Sequence, residues 1–296
     1  MIIQTEKLHK RYGRTEAVAG LDLAVPKGCI YALFGPNAAG KSTTLKMLMN
    51  LIKPTSGSAQ IFGCPSQRLG PAELQRIAYV SENQRLPVEM TVRDLFDFCR
   101  TMYPAWDDAF LDTLISRLAL DPAARVGNLS RGTRMKVALA SSLAYHPSLL
   151  VLDEPFAGLD PAMRANVVES LLSQAGDGDF SAIIATHDID EIDRVVDRVG
   201  ILDRGRLVLD EAVDSLLGRF RRVVARTNIA SQAPHLEWLG IECRPPALSF
   251  VETRFDAASL GERVRAVFPD AEHIDAAPMS LKEIFIAIAQ SPSTNR

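Results

Sequence analysis

Two short segments carry residue types that could do chemistry on phosphate. The first is Gly35-Pro36-Asn37-Ala38-Ala39-Gly40-Lys41-Ser42-Thr43, which fits the spacing G-x-x-x-x-G-K-[ST]. In such a loop, backbone N–H groups and the following helix N-terminus wrap phosphate oxygens. Lys41 is placed to reach the β- and γ-phosphates, and the Ser42 hydroxyl to bind Mg²⁺. The second segment is Asp153-Glu154, which ends the apolar run Leu149–Leu152. Two carboxylates at the end of a buried strand are costly without a cation, and a Mg²⁺-nucleotide supplies one. Asp153 then holds the metal through water, and Glu154 is the base or polarising group for an attacking water.

Both segments need elements to hold them. The loop follows a predicted buried strand, Ile30–Phe34, and precedes a helix with the apolar stripe Leu45, Leu48, Met49, Ile52. Ile77–Val80, Leu149–Leu152 and Ala182–Ala185 also read as buried strands, which predicts an α/β sheet with a parallel core. Ahead of them, Ile2–Leu8 and Val18–Val25 read as antiparallel strands joined through Tyr12-Gly13. From about 86 to 145 the pattern is helical, so a helical subdomain is inserted between two strands of the core. Thr91 and Asp94 form a capping box, followed by Leu95, Phe98, Cys99 and Met102 at helical spacing. A second helix starts near Asp107 or Asp108, with Phe110, Leu111, Leu114 and Leu118 on one face. Past a boundary near 215/216, strands at Arg222–Arg226 and Leu248–Thr253 and helices at Ala257–Phe268 and Leu281–Ala289 predict a small α+β appendage.

Composition narrows the function. With a net charge of −3, no global basic field draws the chain to nucleic acid. No apolar run reaches the ~18 residues of a membrane span. The best candidate, Val137 to Leu152, is interrupted by Ser141, Ser142, His146 and Pro147. The first residues, MIIQTEKLHKRYG, lack the basic-then-apolar order of a secretory leader. Cys29, Cys64, Cys99 and Cys243 are scattered, so reduced thiols are expected rather than a zinc site or disulfide framework.

Further motifs follow in a recognisable order. Together they resemble the nucleotide-binding subunit of an ATP-binding cassette (ABC) transporter, over roughly residues 1–215. Tyr12 matches the aromatic that stacks on adenine, and Gly35–Thr43 the Walker A loop. Leu129-Ser130-Arg131-Gly132-Thr133 resembles the signature motif, and Leu149–Glu154 the Walker B strand. Ala157-Gly158-Leu159-Asp160 matches the D-loop, and His187 the switch histidine. Taken alone, Ser130 and His187 read as helix caps and Tyr12 as turn packing; it is the joint occurrence that points to function. The resemblance implies a P-loop NTPase core with an N-terminal antiparallel β region, the helical insert and the C-terminal appendage. It implies ATP and Mg²⁺ as ligands and Glu154 and His187 as catalytic residues. It also implies that Ser130 and Gly132 contact a nucleotide held by a second ATPase subunit, a homodimer being expected.

Several positions depart from the family pattern. Arg131 and Thr133 stand where Gly and Gln are commonest, and Ala38 where Gly is frequent. Glu82 stands where a metal-approaching glutamine is usual, and Gln84 follows two residues on. Glu82 is therefore expected to join Ser42 and Asp153 at the metal. Tyr103-Pro-Ala-Trp-Asp107, Leu-Ser-Arg-Gly and the appendage resemble exporter-type subunits that serve a separately encoded transmembrane permease. Such a subunit sits peripherally on the cytoplasmic face of the cell membrane. The competing function is a soluble ABC-type ATPase that remodels nucleic acid or ribosomes. A catalytically dead scaffold is a third reading, opposed by intact Glu154 and His187.

Overall fold

The computed structural model describes residues 1–82, 84–156, 159–160, 164–165, 167–168, 180–191, 193–229 and 237–290. The chain divides into two compact units, Met1–Asp210 and Glu211–Arg296.

The first unit opens with β1 (Ile3–Tyr12) and β2 (Thr15–Val25), followed by β3 (Ile30–Phe34) and helix α1 (Lys41–Leu48). Next come β4 (Ser56–Ile61), β5 (Cys64–Pro65), α2 (Pro71–Leu74) and β6 (Ile77–Ser81). The helical insert contributes α3 (Val92–Met102), α4 (Asp108–Arg117) and α5 (Arg131–Leu143). The chain then returns through β7 (Leu149–Asp153), β8 (Ser181–Thr186), β9 (Arg198–Asp203) and β10 (Arg206–Ala212). Among the described residues this unit holds an antiparallel sheet, β2-β1-β4-β5, and a six-stranded sheet, β10-β9-β3-β8-β7-β6.

Parallel pairing fixes the register of the central strands. Asp153 lies opposite Ala185 on β8 and Ser81 on β6, while Phe34 lies opposite Thr186. The C-terminal ends of β3, β6, β7 and β8 therefore finish side by side, where ligands bind in open α/β sheets. All five residues of β7 are buried, as are all six of β8, because both of its faces are covered. A single core joins both sheets to α1, through Leu8, Leu21, Leu33, Leu45, Leu48, Val151 and Ile183.

Two helical stripes differ from expectation. Helix α1 ends at Leu48, because Asn50 turns left-handed (φ 54°); Met49 and Ile52 pack on the core from the loop instead. In α3 the Thr91–Asp94 capping box forms, but the buried face is Val92, Leu95 and Phe96. Phe98 and Met102 are about half exposed, at 50% and 53%. An i, i+3, i+4 set anchored one turn earlier won the core, and spacing cannot choose between overlapping stripes. In α4, Leu111 and Leu114 are buried; Leu118, just past its end, is buried too, and Phe110 stacks on His146 at 5.0 Å.

The second unit contains α6 (Val213–Arg219), β11 (Arg221–Arg226), β12 (Trp238–Arg244), β13 (Ala247–Glu252), α7 (Leu260–Val267), β14 (Glu272–Pro278) and α8 (Leu281–Gln290). Its sheet runs β12-β13-β11-β14, and α7 covers one face through Val223, Phe250, Val264 and Phe268. Strands β12 and β14 escape sequence reading because most of their residues stay partly exposed. Glu252 is fully buried; it accepts from Trp238 Nε1 at 3.0 Å and pairs with Arg263 at 3.0 Å. Removing one partner of such a pair strands the other charge. Arg263→Ala is expected to destabilise this unit by about 3 kcal/mol. Hydrogen exchange at β11 and β13 checks this, and unchanged protection would contradict it.

Candidate nucleotide site

The loop from Gly35 to Gly40 has a backbone that other residues could not copy cheaply. A Cβ on Gly35 would lie 2.2 Å from the Leu202 carbonyl oxygen. Gly40 has φ 107°, and its Cβ would lie 2.3 Å from the Ala17 oxygen. Ala38 adopts φ 64°, a left-handed geometry that glycine takes at less cost, with its side chain exposed. Pro36 and Asn37 are exposed beside it, while Ala39 packs into the core. Gly40 is the N-cap of α1 and no side chain caps that end. The leading N–H groups are thus offered to an anion.

Charges converge behind the loop. The Lys41 ammonium, 5% exposed, donates to the Gly35 carbonyl at 2.7 Å and the Pro36 carbonyl at 3.2 Å. It also lies 3.3 Å from Glu154 Oε1. The other oxygen of Glu154 meets His187 Nδ1 at 2.8 Å. Glu154 itself is held at φ 52°, with its N–H donating to the Ala185 carbonyl at 2.9 Å. Left-handed backbone at a non-glycine residue costs about 1–2 kcal/mol and aims the side chain off the strand end. Ser42 donates its hydroxyl to Asp153 Oδ1 at 2.7 Å. Burial pushes the Asp153 carboxyl above its usual range, opposed by the Ser42 hydrogen bond and the Lys46 charge.

Residues 35–42, Asp153, Glu154 and His187 are therefore brought together at the ends of β3, β7 and β8. Thr43 lies within α1, partly exposed. Ser130 is the N-cap of α5, accepting from the Thr133 N–H at 3.1 Å, with Gly132 in that helix's first turn. Tyr12 ends β1, 49% exposed, with the Lys10 ammonium 5.1 Å from its ring centre. Asp160 is exposed, and its carbonyl accepts from the Arg164 N–H at 3.0 Å; Ala157 and Gly158 lie outside the described residues. The Glu82 backbone N–H donates to the Asp153 carbonyl at 3.0 Å, and its carboxylate ion-pairs with Arg131. Gln84 turns back to accept from the Ser81 N–H at 3.4 Å.

Comparison with known proteins agrees with this geometry. A family model described as ABC transporter matches residues 18–157. The daunorubicin/doxorubicin resistance ATP-binding protein DrrA of Streptomyces peucetius is 30% identical, over 99% of this chain and 94% of its own. The Nod factor export ATP-binding protein I of Burkholderia orbicola (strain AU 1054) is 36% identical, over 73% of this chain and 72% of its own. The chain belongs to the ABC transporter family.

A solved ATP-binding subunit of an ABC transporter matches with a TM-score of 0.66 at 25% identity, covering 73% of this chain and 92% of that one. As an ABC transporter ATPase, the chain binds and hydrolyses ATP to power transport. Among the described residues no helix is long and apolar enough to cross a membrane. None gathers three His, Cys, Asp or Glu side chains into a metal cluster either. Ser42 and Asp153 are a pair of hard oxygen donors, which fits a Mg²⁺ ion.

Sequence reading missed the partners that aim these groups. Arg164 donates to the Leu159 carbonyl at 3.1 Å and lies 4.0 Å from Asp188, tying the D-loop to the residue after His187. Its only signal is a position four past Asp160.

Asp153 carries a burial penalty that the metal would relieve. Asp153→Asn is expected to raise the melting temperature of the nucleotide-free protein near neutral pH, since the amide keeps an acceptor for Ser42 and sheds the charge. The same variant is expected to lose the gain in ATP affinity that Mg²⁺ gives. Calorimetry with and without the metal reads both, and a lower nucleotide-free melting temperature would contradict the argument.

Proposed function

We propose that this chain powers export through a separately encoded transmembrane permease, working as one of two identical cassettes on the cytoplasmic face of the cell membrane. The observation that carries the ATPase chemistry is the Lys41–Glu154–His187 chain lying beside the Ser42–Asp153 pair. Similarity to a relative named for Nod factor export, and to a drug-resistance relative along nearly the whole chain, supports export. The same similarity leaves a nucleic-acid or ribosome role without support. Residues 216–296 are an accessory domain, since every proposed site residue precedes them.

In this reading ATP phosphates occupy the backbone N–H groups of Gly35–Thr43, and Tyr12 stacks on the adenine. Lys41 exchanges the Gly35 and Pro36 carbonyls and Glu154 for β- and γ-phosphate oxygens. Ser42 and Asp153 hold Mg²⁺, with Glu82 a further carboxylate nearby. When bound, that ion would neutralise phosphate charge. Release of Lys41 leaves one Glu154 oxygen free to accept a proton from the attacking water. His187 steadies the other oxygen, so the carboxylate keeps its aim. Ser130 and Gly132 of one copy, with Asp160, complete the site of the other.

Lys41→Ala is expected to weaken ATP binding by about 10- to 100-fold, the worth of a hydrogen bond to a charged group. Glu154→Gln is expected to keep ATP affinity and lower turnover by about 10²- to 10⁴-fold. Equilibrium binding and phosphate release measure the two separately. Normal turnover in Glu154→Gln would move the base elsewhere, with His187 next. Affinity capture from detergent-solubilised membranes should also retrieve a protein with several spans of about 20 apolar residues.

A further inference from the structure

Two of the residues at which the chain departs from its family pattern touch each other. Glu82 stands one residue past β6, and Arg131 is the first residue of α5. The Arg131 guanidinium ion-pairs with Glu82 Oε1, the two side chains being 56% and 29% exposed. The pair therefore ties the α/β core to the helical insert. Both residues line an open cavity of about 640 Å³, together with Arg85, Glu89, Arg134 and Met135. Glu82 is meanwhile anchored at the metal-side strand ends, because its N–H donates to the Asp153 carbonyl at 3.0 Å. Its carboxylate has two cationic destinations, the guanidinium it now holds and a cation on Ser42 and Asp153.

Energetics decide which destination wins in each state. An ion pair this exposed is weak, so it holds without locking. A divalent cation is a hard-oxygen centre that takes further carboxylate ligands. We propose that the Glu82–Arg131 pair is an autoinhibitory latch, closed without nucleotide and opened when Mg²⁺·ATP draws Glu82 off Arg131. This rests on the reading of Ser42 and Asp153 as the metal pair. Energy spent on opening is subtracted from ATP binding, so the latch lowers Mg²⁺·ATP affinity. It has no such effect on metal-free ATP, which gives Glu82 nowhere to go.

The test uses the full chain carrying Glu154→Gln, so that bound ATP persists. Arg131→Ala, Glu82→Gln and their combination complete a double-mutant cycle. Thermal unfolding without nucleotide should show the two changes to be non-additive. Saturating Mg²⁺·ATP should make them additive, because the pair is already open. Arg131→Ala should bind Mg²⁺·ATP about 2- to 5-fold more tightly than its parent, the scale of an exposed pair. With chelator present, the two should bind ATP equally. If Arg131→Ala fails to fold, Arg131→Gln takes its place in every comparison. Non-additivity that persists under Mg²⁺·ATP would overturn the latch, as would unchanged Mg²⁺·ATP affinity in Arg131→Ala. A parent that binds no ATP would overturn the nucleotide-site reading and the latch with it. A parent that binds Mg²⁺·ATP as tightly as Arg131→Ala does would overturn the latch alone.

Discussion

A lysine and a glutamate withdrawn from solvent govern the site. Lys41 is 5% exposed and Glu154 14%, and they lie 3.3 Å apart. Each charge is expensive to desolvate, and each makes the other tolerable. Neither has its full set of polar partners from the other alone. Lys41 leans on the Gly35 and Pro36 carbonyls, and Glu154 on His187. In the proposed reading these partners are stand-ins, which a phosphate displaces group by group. Asp153 follows the same logic: the Ser42 hydroxyl offsets only part of its burial penalty, which leaves room for a cation.

Backbone geometry makes this cluster possible. The parallel register brings the ends of β3, β7 and β8 level, so residues far apart in sequence meet. The loop after β3 passes close under the Leu202 and Ala17 carbonyls, which is why Gly35 and Gly40 are glycines. Left-handed backbone at Ala38 and Glu154 stores strain where the ligand would bind. Strain of that kind persists when the surrounding core over-determines it. Here the supporting core is continuous from the antiparallel sheet through α1 to the central strands.

The helical insert packs beside β6 of the core through α5, whose Val137, Leu139 and Leu143 are buried. Its own helices are well specified, with Thr91, Asp107 and Ser130 each capping one. A charge pair at the edge, Glu82 with Arg131, helps tie it to the core. Weak electrostatic ties of this kind suit an element whose position responds to a ligand, because exposed pairs cost little to exchange.

The amino-acid sequence by itself determined the local units of this protein. Ile30–Phe34, the glycine loop and α1 are written in adjacent residues, as are the capped starts of α3 and α4 and the apolar run that becomes β7. Hydrophobic period, glycines and caps act over a few positions, so they can be read without a fold. Tertiary structure alone decided which of two overlapping faces of α3 is buried, and where β12 and β14 pair despite their half-exposed patterns. It also decided that Glu82 meets Arg131, that Arg164 braces Asp188, and that the Lys41 ammonium rests between loop carbonyls and Glu154. Those outcomes depend on distances between segments remote in the chain, where several charged partners compete for one side chain. Residue type fixes the charge each brings, and the folded register fixes which of them lie within reach.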